Sequence, residues 1–260
     1  MRSILTIRLL AVLLTLVSSY SWAFDHNHEV YSSLLKAHVS WTSDEHASTV
    51  NYVTLSSDIK KLNQYLTDLA DVSQTSFDKF SRKEQLAFLI NAYNAYTLQW
   101  VTQEHQNIKS IKDLGTLFRS PWKKKRFLLF GELVSLDHIE HDLIRRSGNF
   151  DDPRIHMAVN CASIGCPALR PEAFVAARID EQLNDGVYRF LSDESRNRIE
   201  GSVLYVSKIF KWYEEDFANN SGSLVQWLKQ HWPQKNKSEL NDNKYEIEFL
   251  DYDWSLNKSF

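Results

Sequence analysis

The sequence predicts an α+β fold, a single domain in which helices pack on a small, mostly antiparallel sheet. The strand-like segments are short and scattered, without the regular strand–helix alternation of a parallel α/β protein. Only 7 Gly and 5 Pro occur in 260 residues, too few for the many turns of a β-sandwich. Hydrophobic residues make up 43% of the chain, so a single substantial core can form around these elements.

The first 23 residues have the composition of a signal peptide. Arg2 and Arg8 precede an apolar run from Leu9 to Val17, and Ser21 and Ala23 stand at positions −3 and −1 of a cleavage site. The apolar run is shorter than the roughly 20 residues that a membrane-spanning helix needs. We therefore expect an exported bacterial protein, periplasmic or secreted, with no transmembrane segment after cleavage. An uncleaved anchor is the alternative.

The charge balance argues against one class of partner. Removing residues 1–23 would change the net charge from −3 to −5, because the segment carries only Arg2 and Arg8. A mildly acidic chain is not expected to bind nucleic acid in general. The histidines are irregularly spaced and the two cysteines stand wider apart than in a zinc knuckle, so we expect neither a metal nor a cofactor. Peptide or cell-wall material is the partner class that an exported domain would meet.

After a polar leader over residues 24–50, with a first helix near Val30–His38, residues 51–257 form one predicted globular domain. Asn51–Leu55 is β-like, and the apolar spacing predicts a helix over Ser57–Ala70. The remaining predicted elements are helices over Arg82–Gln103, Leu136–Arg146, Pro171–Leu191 and around Leu224–Leu228, hairpins over Phe127–Val134 and Arg198–Val206, a polar loop over Lys235–Asn243, and a strand over Tyr245–Leu250.

Two amides lie inside the strongest predicted helix. That helix begins after Ser81, which forms a capping box with Glu84, and its apolar face includes Asn91 and Asn94. Asn is unfavourable in mid-helix, and a buried amide needs hydrogen-bond partners. Each Asn therefore either bridges neighbouring backbone or orients a catalytic group.

The segment Asp152–Pro167 carries the most chemical information. It contains both cysteines of the chain, Cys161 and Cys166, and His156 stands five residues before the first. Arg154–Val159 is apolar enough to predict a short buried strand, which a loop rich in turn residues then ends. Two cysteines in an oxidising compartment tend to pair. The segment is therefore either a functional thiol site or a local disulfide staple.

Several segments together resemble one protein family. They are Ala87–Ala95, Ser135–His141, Asp152–His156, Cys161–Pro167, Ser207–Trp212 with Asp216–Phe217, and Tyr252–Asn257. In this order they resemble the family called "domain of unknown function 547", which occurs in bacteria and, fused to other segments, in plants. The resemblance extends over about Asn51–Asn257. It implies a domain but no activity.

The resembling segments supply seven candidate catalytic residues. They are Asn91, Asn94, Glu140, His141, His156, Cys161 and Cys166. Cys, His and Asn are the parts of a thiol hydrolase or acyl transferase, in which the thiolate attacks a carbonyl, His moves the proton, and an amide or carboxylate orients the ring. We expect the two thiols, the two imidazoles and Asn94 to converge in one pocket.

Three interpretations stay open. The first is a thiol-dependent hydrolase or acyl/amide transferase at the cell envelope. The second is a non-catalytic binding or scaffold domain with a Cys161–Cys166 disulfide. The third is a thiol redox protein, although the usual C-x-x-C spacing is absent. The state of the two thiols separates the first interpretation from the second.

Overall fold

The computed structural model describes residues 24–116, 118–233 and 245–259. Within them the chain forms one α+β domain, as the sequence predicts. The predicted signal peptide over residues 1–23 and the predicted loop over residues 235–243 lie outside the described residues.

Helices carry most of the regular structure. The α-helices are α1 (Glu29–His38), α2 (Tyr52–Ser57), α3 (Ile59–Ala70), α4 (Gln74–Phe77), α5 (Arg82–Glu104), α6 (Ile179–Ser192), α7 (Lys208–Trp212), α8 (Glu214–Ser221) and α9 (Leu224–His231). Short 3-10 helices span Ile111–Leu114, Pro121–Lys123 and Pro153–Met157, and a π-helix spans His138–Ile144.

The strands are distributed over three small sheets, where the sequence predicts one. They are β1 (Val39–Trp41), β2 (Ser48–Val50), β3 (Phe127–Leu129), β4 (Glu132–Val134), β5 (Arg198–Glu200), β6 (Val203–Ser207) and β7 (Glu246–Leu250). β1–β2, β3–β4 and β5–β6 are antiparallel pairs, so the pairing is mostly antiparallel, as predicted. β7 runs parallel to β6, with Val203 opposite Glu246. A parallel partner needs a long crossover, and α7 to α9 lie between the two strands in the chain.

The core is organised around α5. Nearly every residue from Leu86 to Thr102 is buried, as expected for a central helix with apolar residues on all sides. A second group of buried side chains, which includes Phe210 of α7 and Trp227 of α9, packs together around helices α7 to α9. α6 joins the two groups, because Leu183 belongs to the first and Phe190 to the second.

The predicted strand over Asn51–Leu55 is wrong, because this segment enters helix α2. The Asn51 side chain accepts a hydrogen bond from the Thr54 backbone N–H at 3.0 Å and so caps the helix. Tyr52 and Leu55, three residues apart, are both buried, which is helical spacing.

The predicted strand over Arg154–Val159 is wrong as well. Residues Pro153–Met157 form a 3-10 helix, with Pro at its first position and Asp152 capping it through Arg154 N–H. Likewise, Leu136–Arg146 adopts a π-helix at its centre instead of a regular α-helix.

The helix predicted over Pro171–Leu191 begins only at Ile179. Side chains from other segments form hydrogen bonds with the backbone N–H and C=O groups that a helix would use. Asn91 bonds both backbone groups of Phe174, and Gln182 donates to Ala173 O and accepts from Val175 N–H. The segment before α6 is therefore held in an irregular conformation.

Candidate functional site

A cavity of about 360 Å³ lies where the cysteine loop, the π-helix, α7 and the C-terminal segment meet. Five of the seven predicted site residues line it. They are Glu140, His141, His156, Cys161 and Cys166. Asn91 and Asn94 are not among its lining residues.

Aromatic side chains form much of the cavity wall. These are Tyr93, Trp122, Trp212, Tyr213, Tyr252 and Trp254. Trp212 is 44% exposed, and its ring contacts those of Tyr252 and Trp254 at centroid distances of 4.9 and 5.6 Å. The wall therefore presents several ring faces close to solvent.

The two amides in α5 hold backbone segments in place, Asn94 at the start of the cysteine loop and Asn91 in the segment before α6. Asn94 donates to Ala158 O at 2.9 Å and accepts from Asn160 N–H at 2.8 Å. Asn91 bonds Phe174 N and O in the same way. These are the backbone bridges that the sequence offers as one of two roles for these residues.

The cysteine loop is also fixed on its other side. Asn160 accepts from Ala162 N–H and donates to Pro167 O, both at 2.8 Å. Ile164 N–H and Gly165 N–H donate to Ser255 O and Asp253 O, respectively, each at 2.8 Å. A Cβ on Gly165 would come within 3.0 Å of Asp253 O, so glycine permits this close approach. The motif Tyr252–Asn257 thus acts as a support for the loop.

Cys161 and Cys166 are bonded to each other as a disulfide, and these are the only two cysteines in the chain. Cys166 is buried, whereas Cys161 is half-buried. Cys161 N–H donates to Cys166 Sγ at 2.9 Å. The hydroxyls of Tyr252 and Ser163 lie 3.1 and 3.5 Å from the same sulfur. Ala162, within the disulfide loop, has a φ of 61°, a left-handed conformation that is strained for a residue with a Cβ.

His156 forms a polar cluster with Asp216 and Arg145. Its Nε2 lies 2.7 Å from Asp216 Oδ2, and Arg145 binds the same carboxylate with two nitrogens at 2.7 and 3.0 Å. Burial acts to raise the pKa of Asp216, but the hydrogen bonds from His156 and Arg145 outweigh it and hold that pKa well below its usual range. Asp216 is therefore a carboxylate at neutral pH.

Burial lowers the pKa of His156 and outweighs its bond to Asp216, so the ring is neutral. Because a carboxylate only accepts hydrogen bonds, Nε2 carries the proton and Nδ1 presents a lone pair. Nδ1 is buried and has no hydrogen-bond partner within the described residues. The imidazole is therefore oriented and neutral, and it has one acceptor that no described group uses.

The π-helix supplies Glu140 and His141. Its i+5 hydrogen bond, from Arg145 N–H to Glu140 O at 2.8 Å, places one extra residue in the turn. Such turns are frequent at functional sites because they change which side chains face inward. Here Glu140 is 4% exposed and still lines the cavity, next to His141.

Glu140 and His156 are linked through Tyr213. The Tyr213 ring stacks on the His156 ring at 3.8 Å between centroids, and its hydroxyl donates to Glu140 Oε1 at 2.6 Å. Burial and the Glu140 charge raise the pKa of Tyr213 far above its ordinary value, so the phenol stays protonated as the donor. In the part of the chain that is described, no Lys or Arg nitrogen forms an ion pair with Glu140.

The other imidazole of the cavity, His141, has partners of its own. His141 Nδ1 contacts Arg145 at 2.5 Å, and its Nε2 lies 3.7 Å from Asp137. Across residues 24–116, 118–233 and 245–259, neither histidine ring is hydrogen-bonded to a sulfur atom. The sulfur contacts are instead hydroxyls and one backbone N–H.

Sequence reasoning missed three cavity-side partners: Asp216, Tyr213 and Tyr252. Asp216 and Tyr252 belong to the resembling segments, which was a usable signal, whereas Tyr213 falls just outside one of them. Asp216, not an amide, orients His156.

Two features are absent from the described part of the chain. None of its helices is both long and apolar enough to cross a membrane. It also contains no group of three or more His, Cys, Asp or Glu side chains placed to hold a metal ion.

Comparison with known proteins finds a resemblance to a family over part of the chain. No curated protein and no solved structure matches the chain. The family model described as "Protein of unknown function, DUF547" matches residues 77–191. This segment contains α5, the π-helix and the cysteine loop, whereas Asp216 and the supporting C-terminal segment lie outside it. The resemblance of the chain to the DUF547 family is thereby confirmed over residues 77–191.

Proposed function

We propose that this protein is an exported binding domain whose cavity takes the cationic amine group of a peptide or cell-wall component. The observation that carries the proposal is Glu140. Its carboxylate is almost fully buried, lines the cavity and accepts a hydrogen bond from Tyr213. Among the described residues no Lys or Arg nitrogen lies within ion-pair distance of it, and Arg145 acts on it only from farther away. A buried carboxylate without a counter-charge is costly, and a bound ammonium group supplies that charge.

The aromatic wall favours the same ligand class. Cations bind over the faces of Trp and Tyr rings, and cages of such rings are a common site for quaternary or alkylated ammonium groups. The described lining includes the carboxylates Asp137 and Glu140 but no Lys or Arg. Two of the rings already face a cation of the protein, because Lys112 Nζ lies 3.8 Å from the Trp254 centroid and Arg145 Cζ lies 4.6 Å from the Tyr213 centroid.

The size and stiffness of the cavity are consistent with binding. A volume of about 360 Å³ suits a small head group or one amino-acid side chain. The disulfide and the amide bridges from α5 hold its floor in place, so little ordering is required when a ligand enters. The disulfide also supports export, since such bonds persist in oxidising compartments.

The experiment compares choline with its neutral carbon analogue, 3,3-dimethylbutan-1-ol. Binding to the mature protein is measured by calorimetry and by tryptophan fluorescence. We expect choline to bind at least about tenfold more tightly than the neutral analogue. Glu140→Gln should remove that preference, while Glu248→Gln, an exposed carboxylate on β7, should leave it unchanged. Equal binding of the two compounds to the wild-type protein would refute the cation site.

Export is tested on the same preparation. Mass spectrometry of protein from the periplasmic or secreted fraction should find Phe24 as the first residue. An intact Met1 in a cytoplasmic fraction contradicts this part of the proposal.

A thiol-dependent hydrolase or transferase is the second candidate, favoured by one observation. The Asp216–His156 pair leaves a neutral imidazole nitrogen without a partner beside the cavity. Titration of thiols in the denatured, unreduced protein separates the two candidates. No titratable thiol supports the binding domain, and two thiols support the hydrolase.

A further inference from the structure

We propose that the Cys161–Cys166 disulfide is an exchangeable bond, attacked at Cys161 by a thiol that enters the cavity, with Cys166 as the leaving sulfur. This activity is independent of amine binding, since it uses the sulfurs and their donors and not Glu140.

The two sulfurs differ in accessibility. Both cysteines line the cavity, but Cys161 is half-buried and Cys166 is only 5% exposed. An incoming thiol therefore meets Cys161 first. The bulkier surroundings of Cys166 make it the protected partner.

The two sulfurs also differ in their hydrogen-bond donors. Only Cys166 Sγ faces a fixed backbone donor, Cys161 N–H at 2.9 Å. The Tyr252 and Ser163 hydroxyls lie near both sulfurs, at 3.1 and 3.5 Å from Cys166 and at 3.2 and 3.0 Å from Cys161. A disulfide sulfur is a weak acceptor, whereas a thiolate is a strong one, so these donors become stronger as charge develops on Cys166. The arrangement stabilises the leaving group more than the starting bond.

Support from outside the disulfide keeps this arrangement in place after the bond opens. Ile164 and Gly165 are held by the backbone of Ser255 and Asp253, and Asn160 is held by Asn94. None of these bonds involves sulfur. The two cysteines therefore stay close, ready to re-form the bond.

The reaction balances with a thiol as the reductant. The attacking thiolate forms a bond to Cys161 Sγ, the Cys161–Cys166 bond breaks, and its electron pair stays on Cys166 as a thiolate. A second thiol then attacks the mixed disulfide, releases Cys161 as a thiolate, and leaves as an oxidised disulfide with the first. The net change is two substrate thiols oxidised to one disulfide and two cysteines reduced.

The test maps which cysteine reacts. The mature protein is reduced with dithiothreitol under native conditions, alkylated with a limiting amount of iodoacetamide at mildly acidic pH, and analysed by peptide mass mapping. We expect Cys161 to be alkylated at least about fivefold faster than Cys166 in the opened loop, because Cys161 is half-buried and Cys166 is only 5% exposed. Tyr252→Phe should slow the opening of the disulfide by dithiothreitol, because it removes a donor to the leaving Cys166 sulfur, and the exposed Tyr188→Phe should leave that rate unchanged.

A second variant checks the attack step without relying on Tyr252. In Cys166→Ser, incubation with glutathione disulfide should give a stable mixed disulfide at Cys161. The proposal is overturned if the native disulfide resists dithiothreitol until the protein is denatured, or if Cys166 is alkylated as fast as Cys161 after reduction. Choline binding does not enter these readouts, so failure here leaves the binding proposal standing, and the reverse also holds.

Discussion

The buried polar groups behind the cysteine loop and those in front of it differ in whether they have hydrogen-bond and charge partners. Behind the loop, Asn91, Asn94 and Asn160 each donate and accept hydrogen bonds with backbone groups. In front of it, His156 Nδ1 has no described hydrogen-bond partner and Glu140 has no direct ion pair among the described residues.

The difference separates two uses of buried polarity. Amides whose oxygen and nitrogen both form hydrogen bonds fix the path of the chain and contribute to stability. Buried polar groups that lack a partner reduce the stability of the fold. Where they are retained at a cavity, a ligand can supply the missing partner. Substitutions behind the loop should therefore cost the most stability, and removal of the Glu140 carboxylate in front of it should remove binding.

The largest expected effect comes from Asn94→Ala. It leaves Ala158 O and Asn160 N–H buried without their partner, which should lower the free energy of unfolding by about 4 kcal/mol. Urea denaturation measures the change. Asn63→Ala, an exposed amide, should cost less than about 1 kcal/mol. If both variants lose the same stability, the amides behind the loop are not the support described here.

The second-largest loss of folding stability is expected when the pH is lowered. Burial lowers the pKa of His28 from 6.5 to about 4, although its Nδ1 lies 2.7 Å from Tyr65 Oη. Between these values the unfolded chain binds a proton that the folded chain does not, so stability is full above pH 6.5 and falls as the pH drops toward 4. The loss should reach about 3 kcal/mol. Urea unfolding across this range should show a shallower pH slope for His28→Gln, and an unchanged slope would contradict the assignment.

Loss of the disulfide should have a smaller effect. Cys161 and Cys166 are only 5 residues apart, so the bond constrains the unfolded chain little. The double variant Cys161→Ser with Cys166→Ser should lose about 2 kcal/mol, measured by thermal unfolding. A loss as large as that of Asn94→Ala would show that the disulfide, not the amide, holds the loop.

The smallest stability change is expected in front of the loop. Tyr213→Phe removes the donor to Glu140 and should cost about 1 kcal/mol. Choline binding should persist, because the carboxylate and the ring face are retained. If choline binding is abolished while stability is unchanged, the Tyr213 hydroxyl itself contacts the ligand.

Local patterns were read correctly where local interactions decide the structure. Ser81 and Glu84 form their capping box, and α5 runs from Arg82 to Glu104, within one residue of the prediction. The hairpins at Phe127–Val134 and Arg198–Val206 also form as expected. In each case the caps, turns and apolar spacing agree within a few neighbouring residues.

The sequence by itself determined the fold class, the central helix and five residues of the cavity lining. Tertiary structure alone decided the partners: Asp216 for His156, Tyr213 for Glu140, and Tyr252 for Cys166. The members of these three pairs lie 60, 73 and 86 positions apart in the chain, respectively. Hydrogen bonding at such separations depends on how helices and loops pack, and the period of a single segment carries no information about that packing. The same reason explains the 3-10 helix at Pro153–Met157, since its apolar run fits a strand equally well until its neighbours are in place.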